Sequence, residues 1–428
     1  MFNDRIGALS KALFASLCMS CTAAQAGTSF GIYDARTLAM GGTAAASAGN
    51  SNAQFYNAAL LAFNEKIEEE TRDSRFLLPI LAPQLSKSAF DIERVSSDAL
   101  APDLTLAVDA YNAAPGSLTA NDAALAATSL RRVISQLDGE DLFGDAYAGI
   151  AVSEPSKYRG AGFFLGTRLI AGGRSDVSAE DLNLLQAYEE GLRFIASGGS
   201  DGTPRPELFD PNGVLLDPVA DLESTASAAG ASIIEVGIAI ADDFQYRGDR
   251  VAFGIGFKML DIDTFEDVER IVDDRIDLDR NEASKVRFNV DLGLARNFGE
   301  RWRLGVAIKD AIPYDVDTAL DTSIRLRPRP RVAAAYATEK LQLALDLDVV
   351  KNAPLENEKP TQEAALGVEW SLVEMLRVRA GLRTDLRGNR ALIASTGVGI
   401  VISRLAVDVA YAEGSDLRAA ALQLGWVF

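Results

Sequence analysis

Aliphatic and polar side chains alternate along much of the chain. Between residues 341 and 349, Leu341, Leu343, Leu345, Leu347 and Val349 fall on one face, while the positions between them carry Gln, Ala or Asp. A repeat of two residues is the period of a β-strand. Fourteen segments carry strand-like patterns: 72–83, 146–154, 161–171, 232–242, 249–260, 285–297, 301–309, 330–338, 341–350, 363–371, 375–384, 391–401, 404–412 and 418–428.

The length of these segments distinguishes two β architectures. Strands of a soluble sandwich also alternate, with apolar residues inside and polar residues outside. Most of the segments here run about 9 to 12 residues, the length a tilted strand needs to cross a bilayer, whereas soluble strands average about 5 or 6. Tight links alternate with longer ones, as periplasmic turns and outer loops do in membrane barrels. The pattern predicts an all-β fold, a transmembrane antiparallel β-barrel of about 14 strands.

The C-terminal segment adds a signal for location. Leu424, Trp426 and the final Phe428 share one face of the last predicted strand. A terminal strand that ends in Phe resembles the recognition signal that bacterial outer-membrane barrels present to the barrel assembly machinery. We therefore expect the bacterial outer membrane as the location, and its lipid, lipopolysaccharide and the assembly machinery as partners.

The N-terminus is typical of an exported protein. Residues 1–26 combine a basic start, an apolar stretch and the sequence Ala24-Gln25-Ala26, which fits a signal peptide cleaved before Gly27. We divide the remainder into an N-terminal segment, 27–71, and the barrel, 72–428. Long outer loops with helical patterns are predicted at 95–145 and 173–231.

Composition excludes several functions. The 428 residues include no histidine, which removes imidazole from any general-base or metal-ligand role. The formal net charge of −19 disfavours binding to nucleic acid, because the phosphate backbone would be repelled. Both cysteines lie in the predicted signal peptide. We expect no enzyme activity, no metal site and no cofactor.

One segment carries a family resemblance. Residues 35–62 contain Arg36, Met40, Gly41 and Gly42 early, and Phe55, Tyr56 and Asn57 late. This resembles the N-terminal segment of the long-chain fatty acid outer-membrane transporter (FadL-like) superfamily, including its TraF-like conjugal-transfer branch. The resemblance implies a 14-stranded barrel whose N-terminal segment folds into the lumen as a hatch built from these seven residues. The sequence departs from the family at Ala58, where the family has proline, so the rigidity of that proline is missing.

Charged residues on the polar face would line the lumen of such a barrel. Six of them are candidates for a substrate path: Arg377, Arg379, Arg383, Glu369, Asp346 and Asp408. The three arginines could form a ladder that holds a carboxylate headgroup. The alternative is ion pairing within the wall or between the wall and the hatch.

Two functions remain open from the sequence. The first is uptake of a hydrophobic small-molecule ligand, such as a long-chain fatty acid, by binding at the outer loops and passage past the hatch. The second is a barrel that transports nothing and serves as a partner in conjugal transfer, secretion or envelope assembly. A lumen sealed by ion pairs would favour the second.

Overall fold

The computed structural model describes most of the chain. The described residues are 25–26, 29–49, 51–63, 75–96, 100–139, 141–155, 158–199, 208–273, 283–318, 323–352, 355 and 359–427. The predicted signal peptide, apart from Gln25 and Ala26, and the C-terminal Phe428 lie outside these ranges.

Fourteen antiparallel strands form a closed barrel, which confirms the predicted fold class. The last strand pairs with the first, so the sheet has no free edge. The strands are β1 (Arg75–Ser86), β2 (Asp141–Glu154), β3 (Arg159–Asp176), β4 (Thr225–Tyr246), β5 (Asp249–Arg270), β6 (Ala283–Phe298), β7 (Trp302–Lys309), β8 (Arg329–Ala337), β9 (Leu341–Asp348), β10 (Glu363–Val373), β11 (Leu376–Asp385), β12 (Ile393–Ile402), β13 (Leu405–Glu413) and β14 (Leu417–Val427).

The outside of the barrel is apolar. On β9, Leu343, Leu345 and Leu347 are exposed, while Asp346 and Asp348 on the opposite face are buried in the interior. All three tryptophans are about half exposed and lie at the barrel end that holds the C-terminus: Trp302, Trp370 and Trp426. An apolar band bordered by aromatic residues is the surface that a barrel presents to a bilayer.

Strands β3, β4 and β5 are longer than the alternation predicts. They contain 18, 22 and 22 residues and extend the wall on the side opposite the C-terminus. The predicted loops 95–145 and 173–231 therefore have different bounds in the structure. The first insertion lies between the strand that ends at Ser86 and the strand that begins at Asp141, and the second lies between Asp176 and Thr225. The start of β4, Thr225–Gly230, contains mostly Ala, Ser and Gly, so it shows no aliphatic alternation.

Helices fill the two long insertions. They are α3 (Lys87–Ser96), α4 (Leu100–Ala113), α5 (Ser117–Leu137) and α6 (Ala179–Ala196), and they share a buried core that includes Leu104, Leu130 and Leu185. Ser178 caps α6 by accepting a hydrogen bond from the Glu180 amide. Among the described helices, none combines the length and hydrophobicity needed to span a membrane.

The chain that precedes β1 lies inside the barrel. We call residues 29–63 the luminal segment; it contains α1 (Ala35–Ala39), α2 (Ala53–Tyr56) and a 3-10 helix, Ala58–Ala62. Its described residues are buried except Ser29 and Gly49, which are half-buried. The luminal segment and the inner wall form one packed core.

The outward face provides a test of membrane insertion. Leu345→Arg places a charge in the middle of the apolar band of β9, and we expect it to destabilise the barrel in a bilayer by about 2–4 kcal/mol. The measurement is the folded fraction in lipid vesicles, read from heat-modifiable gel migration. Leu386→Arg, at an exposed position beyond the end of β11, is the matched control and should fold normally. Equal folding of both variants would contradict the membrane orientation of this face.

Candidate functional site in the barrel lumen

The seven residues predicted for the hatch all lie in the luminal segment and are buried. Gly41 and Gly42 have positive φ angles of 71° and 97°, a conformation that side chains disfavour. The wall approaches this turn closely, since a Cβ atom on Gly381 would lie 2.1 Å from the Gly41 nitrogen. Glycine is therefore required on both sides of the contact.

Asn57 fixes the end of the luminal segment. Its Oδ1 accepts a hydrogen bond from the Ala59 amide at 3.2 Å, which caps the 3-10 helix. Its Nδ2 donates to the carbonyl oxygens of Ala45 at 2.6 Å and Leu294 of β6 at 3.2 Å. The asparagine thus orients the backbone at the position where the family proline is replaced by Ala58.

Aromatic rings join the luminal segment to the wall. Tyr33 stacks on Phe55 with ring centroids 5.7 Å apart, and Tyr147 of β2 contacts both rings edge-on at 5.0 and 5.7 Å. The Tyr56 hydroxyl donates to Asp34 at 2.7 Å and accepts a hydrogen bond from the Tyr33 amide at 2.8 Å. These contacts hold the two halves of the segment against β2.

Ion pairs connect α1 to the opposite wall. Arg36 contacts Glu369 at 2.9 Å, Glu369 also contacts Arg379 at 2.6 Å, and Arg379 contacts Asp408 at 2.5 Å. Nearby, the Asp346 carboxylate accepts hydrogen bonds from the amides of Ala44 and Ala45 at 3.0 and 2.9 Å. Four of the six predicted path residues, Glu369, Arg379, Asp346 and Asp408, therefore form these connections.

The three arginines of the predicted ladder have different surroundings. Arg379 is shared between two carboxylates, and Arg383 donates to Gln84 at 2.8 Å and lies 3.5 Å from Glu363. Arg377 is half-buried and has no ion-pair partner within 4 Å among the described residues. The structure therefore places Arg379 and Arg383 in wall ion pairs and Arg377 apart from them.

A second charged group, which sequence reasoning did not assemble, surrounds the other end of the luminal segment. Lys258 contacts Asp291 at 3.0 Å and Asp310 at 2.6 Å, and Asp310 also pairs with Arg329. Lys309 donates to the Phe55 carbonyl at 2.7 Å. Lys258, Asp291 and Lys309 lie on the polar face of their strands, whereas Asp310 follows the end of β7 and Arg329 begins β8, where the alternation gives no signal.

An apolar cluster lies above these charges, on the side away from the C-terminus. Inward residues of three strands form one side of it, Ile170 of β3, Ile233 of β4, and Leu260 and Ile262 of β5. A hairpin with strands Tyr314–Asp317 and Ser323–Leu326 packs on them through Val316, Ile324 and Leu326. We call the region between this apolar wall and the hairpin the outer chamber, and the hairpin the covering hairpin.

The chamber is filled in this conformation, because the hairpin side chains pack directly on its apolar wall. A cavity of about 20 Å³ at its edge, beside Ser29, Asp145, Ile170 and Leu355, has room for about one water molecule. The covering hairpin is fixed by a Tyr314 hydroxyl that donates to the Phe288 carbonyl at 2.8 Å and by a Thr318 hydroxyl that donates to Glu266 at 2.8 Å. A larger molecule therefore requires the hairpin to move.

The residues of the predicted assembly signal lie on the outer surface. Trp426 is half exposed and Leu424 is half-buried on the same face of β14, while Phe428 is outside the described residues. They take no part in the lumen.

Comparisons with known proteins give one family and several barrels. A family model described as "F plasmid transfer operon, TraF, protein" matches residues 54–348. No curated protein matches the sequence. The Pseudomonas putida toluene transporter TodX is 11% identical with a TM-score of 0.43, over 92% of this chain and 98% of that one. A Pseudomonas aeruginosa FadL homologue is 10% identical with a TM-score of 0.47, over 95% of this chain and 100% of that one.

The ion pairs of Glu369 provide a test of how the luminal segment is held. Glu369→Ala leaves the buried Arg36 without its carboxylate and Arg379 with one of two, and we expect a loss of about 3–5 kcal/mol in the free energy of unfolding. The measurement is denaturant unfolding in detergent, followed by tryptophan fluorescence and by tryptic cleavage after Arg36. Glu374→Ala, in an exposed turn, is the control. Unchanged unfolding and cleavage of Glu369→Ala would show that these pairs do not hold the segment.

Proposed function

The chain belongs to the F plasmid transfer operon TraF protein family, and we propose that it is a bacterial outer-membrane barrel that admits hydrophobic small molecules. Molecules displace the covering hairpin, enter the outer chamber and pass the luminal segment toward the periplasm. No covalent chemistry takes part.

Membrane location is supported by the surface of the barrel. Apolar residues face outward along successive strands, and the tryptophans lie at one end. With the C-terminus on the periplasmic side, the short links of the barrel are periplasmic, and the helices and the covering hairpin are extracellular. The chamber is then the part of the lumen that a molecule from outside reaches first.

The single observation that carries the proposal is the apolar wall of the outer chamber. The interior of a membrane barrel is generally polar, and the lower lumen here follows that rule with its ion pairs. Ile233, Leu260 and Ile262 depart from it in one continuous patch. Apolar surface that a movable hairpin covers can exchange hairpin contacts for ligand contacts at little cost in free energy.

A hydrophobic ligand does not need the arginine ladder. Arg379 and Arg383 are already engaged by carboxylates, and they belong to the layer that holds the luminal segment. The long-chain fatty acid considered from the sequence is one candidate ligand and a neutral hydrophobic molecule is another. Oleate represents the fatty acid and toluene the neutral molecule in the uptake experiment.

A second candidate function rests on a different observation. The luminal segment is bound to the wall by the Arg36–Glu369 ion pair on one side and by the hydrogen bond from Lys309 to the Phe55 carbonyl on another, and such a seal suits a barrel that lets nothing through. Together with the description of its family, this supports a role as a partner in conjugal transfer or envelope assembly. The seal must remain closed for this role, whereas uptake requires the segment to move.

The test of uptake compares two labelled molecules. Radiolabelled oleate and toluene are offered to bacteria that lack their own outer-membrane hydrophobe transporters and express this protein. We expect saturable uptake of at least one, reduced by roughly fivefold in Ile262→Ser if the substitution removes about 1 kcal/mol of apolar contact. Leu106→Ser, on the exposed face of α4, should leave uptake unchanged.

Absence of uptake would contradict the proposal. If the folded barrel is present in the outer membrane and neither molecule enters faster than in cells without it, transport is excluded for both ligand classes. The envelope partner then becomes the better account.

A further inference from the structure

A buried carboxyl group lies at the floor of the outer chamber. Glu235 of β4 is 5% exposed and, among the described residues, has no ion pair within 4 Å and no hydrogen bond, although the Arg168 and Lys258 charges act on it from farther away. A buried carboxyl group that makes no hydrogen bond is costly in free energy. Glu235 is therefore an acceptor that a ligand hydroxyl can satisfy.

A second polar group without a partner is adjacent. The Tyr147 hydroxyl is buried and makes no hydrogen bond to any part of the chain that the structure describes. The ring lies flat on the wall, since a Cβ atom on Gly166 would be 2.2 Å from the Tyr147 oxygen. Gly166 is the direct cross-strand neighbour of Glu235 in the β3–β4 pair. The hydroxyl and the carboxyl group thus occupy neighbouring positions and do not bond to each other.

The surroundings of this pair are apolar on the outer side. Leu260 of β5 is the direct cross-strand neighbour of Glu235, and Ile233 lies two residues before it on the same face. Both belong to the wall of the outer chamber. A molecule in the chamber would thus place one end at Glu235 and Tyr147 and its remainder on Ile233, Leu260 and Ile262.

The nearby cations already have partners. Arg168 of β3 contacts Asp145 at 2.7 Å, and Lys258 of β5 contacts Asp291 and Asp310 at 3.0 and 2.6 Å. A carboxylate headgroup would meet the Glu235 side chain without a free cation, so like-charge repulsion and desolvation disfavour it. A neutral hydroxyl carries neither penalty, because it can donate one hydrogen bond and accept another.

We propose that Glu235 and Tyr147 form a binding site for the hydroxyl group of a neutral hydrophobic molecule, an alcohol or a phenol. The ligand hydroxyl donates to the Glu235 carboxyl group and accepts from the Tyr147 hydroxyl. This inference rests on the proposed function, since the remainder of the ligand lies in the outer chamber. It makes Glu235 and Tyr147 the residues that select the ligand class.

The site also touches the luminal segment. The Tyr147 ring contacts Tyr33 and Phe55, and Arg168 lies over the Tyr33 ring at 5.5 Å. A ligand that reorients Tyr147 therefore acts directly on the segment it has to pass.

The experiment compares an alcohol with its ether. Binding of 1-naphthol and 1-methoxynaphthalene to the purified full-length barrel in detergent is measured through probe fluorescence. The ether keeps the apolar body and cannot donate a hydrogen bond. We expect 1-naphthol to bind roughly tenfold or more tightly, because a site built for a hydroxyl rejects the analogue that cannot donate.

Two conservative variants locate the effect. Glu235→Gln and Tyr147→Phe keep the size of each side chain, and both should reduce the preference for 1-naphthol severalfold while leaving 1-methoxynaphthalene binding nearly unchanged. Glu190→Gln, on the exposed face of α6, is the matched control. Heat-modifiable migration confirms that each variant is folded.

The outcomes separate this inference from the proposed function. Equal binding of both probes, unaffected by the variants, would overturn the hydroxyl site and leave the hydrophobic chamber intact; it would mean that water alone bridges the two groups. If neither probe binds the folded barrel and uptake is also absent, the chamber itself is not a ligand site and both proposals fall.

Discussion

Charges that point into a closed barrel are costly in free energy unless they find partners inside it, and the rest of this structure depends on that constraint. Strand alternation places Asp, Glu, Lys and Arg on the inner face, where the lumen is too crowded for each charge to be solvated separately. The luminal segment meets the requirement with its Arg36 side chain, the amides of Ala44 and Ala45 and the carbonyl of Phe55. Wall and segment are consequently one packed unit, and the barrel cannot open without breaking several of these interactions.

Much of the fold was predictable because the period of a strand is a local property. The alternation in Leu341–Val349 is complete within nine residues, and the same logic recovers all fourteen strands. The prediction failed at strand ends, where β4 begins with small residues on both faces and where β5 continues to Arg270 through an acidic stretch that resembles a loop. In those places the length of the strand is determined by its hydrogen bonding to an adjacent long strand and not by the residue pattern.

The candidate site was harder to predict from the sequence than the fold. A resemblance directed attention to Arg36 and Asn57, but their partners, Glu369 and Leu294, are more than 200 residues away and no local pattern connects them. The glycines that admit the luminal segment and the Tyr147 ring look like ordinary small residues in alternating strands. The apolar chamber was also hidden, because Ile233 and Leu260 share a strand face with the charged Glu235 and Lys258, and the alternation does not reveal that the apolar members of that face form a separate layer. Only the assembled barrel shows an apolar patch above a charged layer.

The lumen therefore has two layers with different roles in the account. The charged layer holds the luminal segment and sets the free energy needed to displace it from the lumen. The outer chamber offers a surface on which a hydrophobic molecule can replace the covering hairpin. The most direct test of this arrangement is the ion conductance of the purified barrel in a planar lipid bilayer. We expect no steady open-pore conductance for the intact chain, because the luminal segment fills the lumen. A stable ohmic conductance of porin size would contradict it.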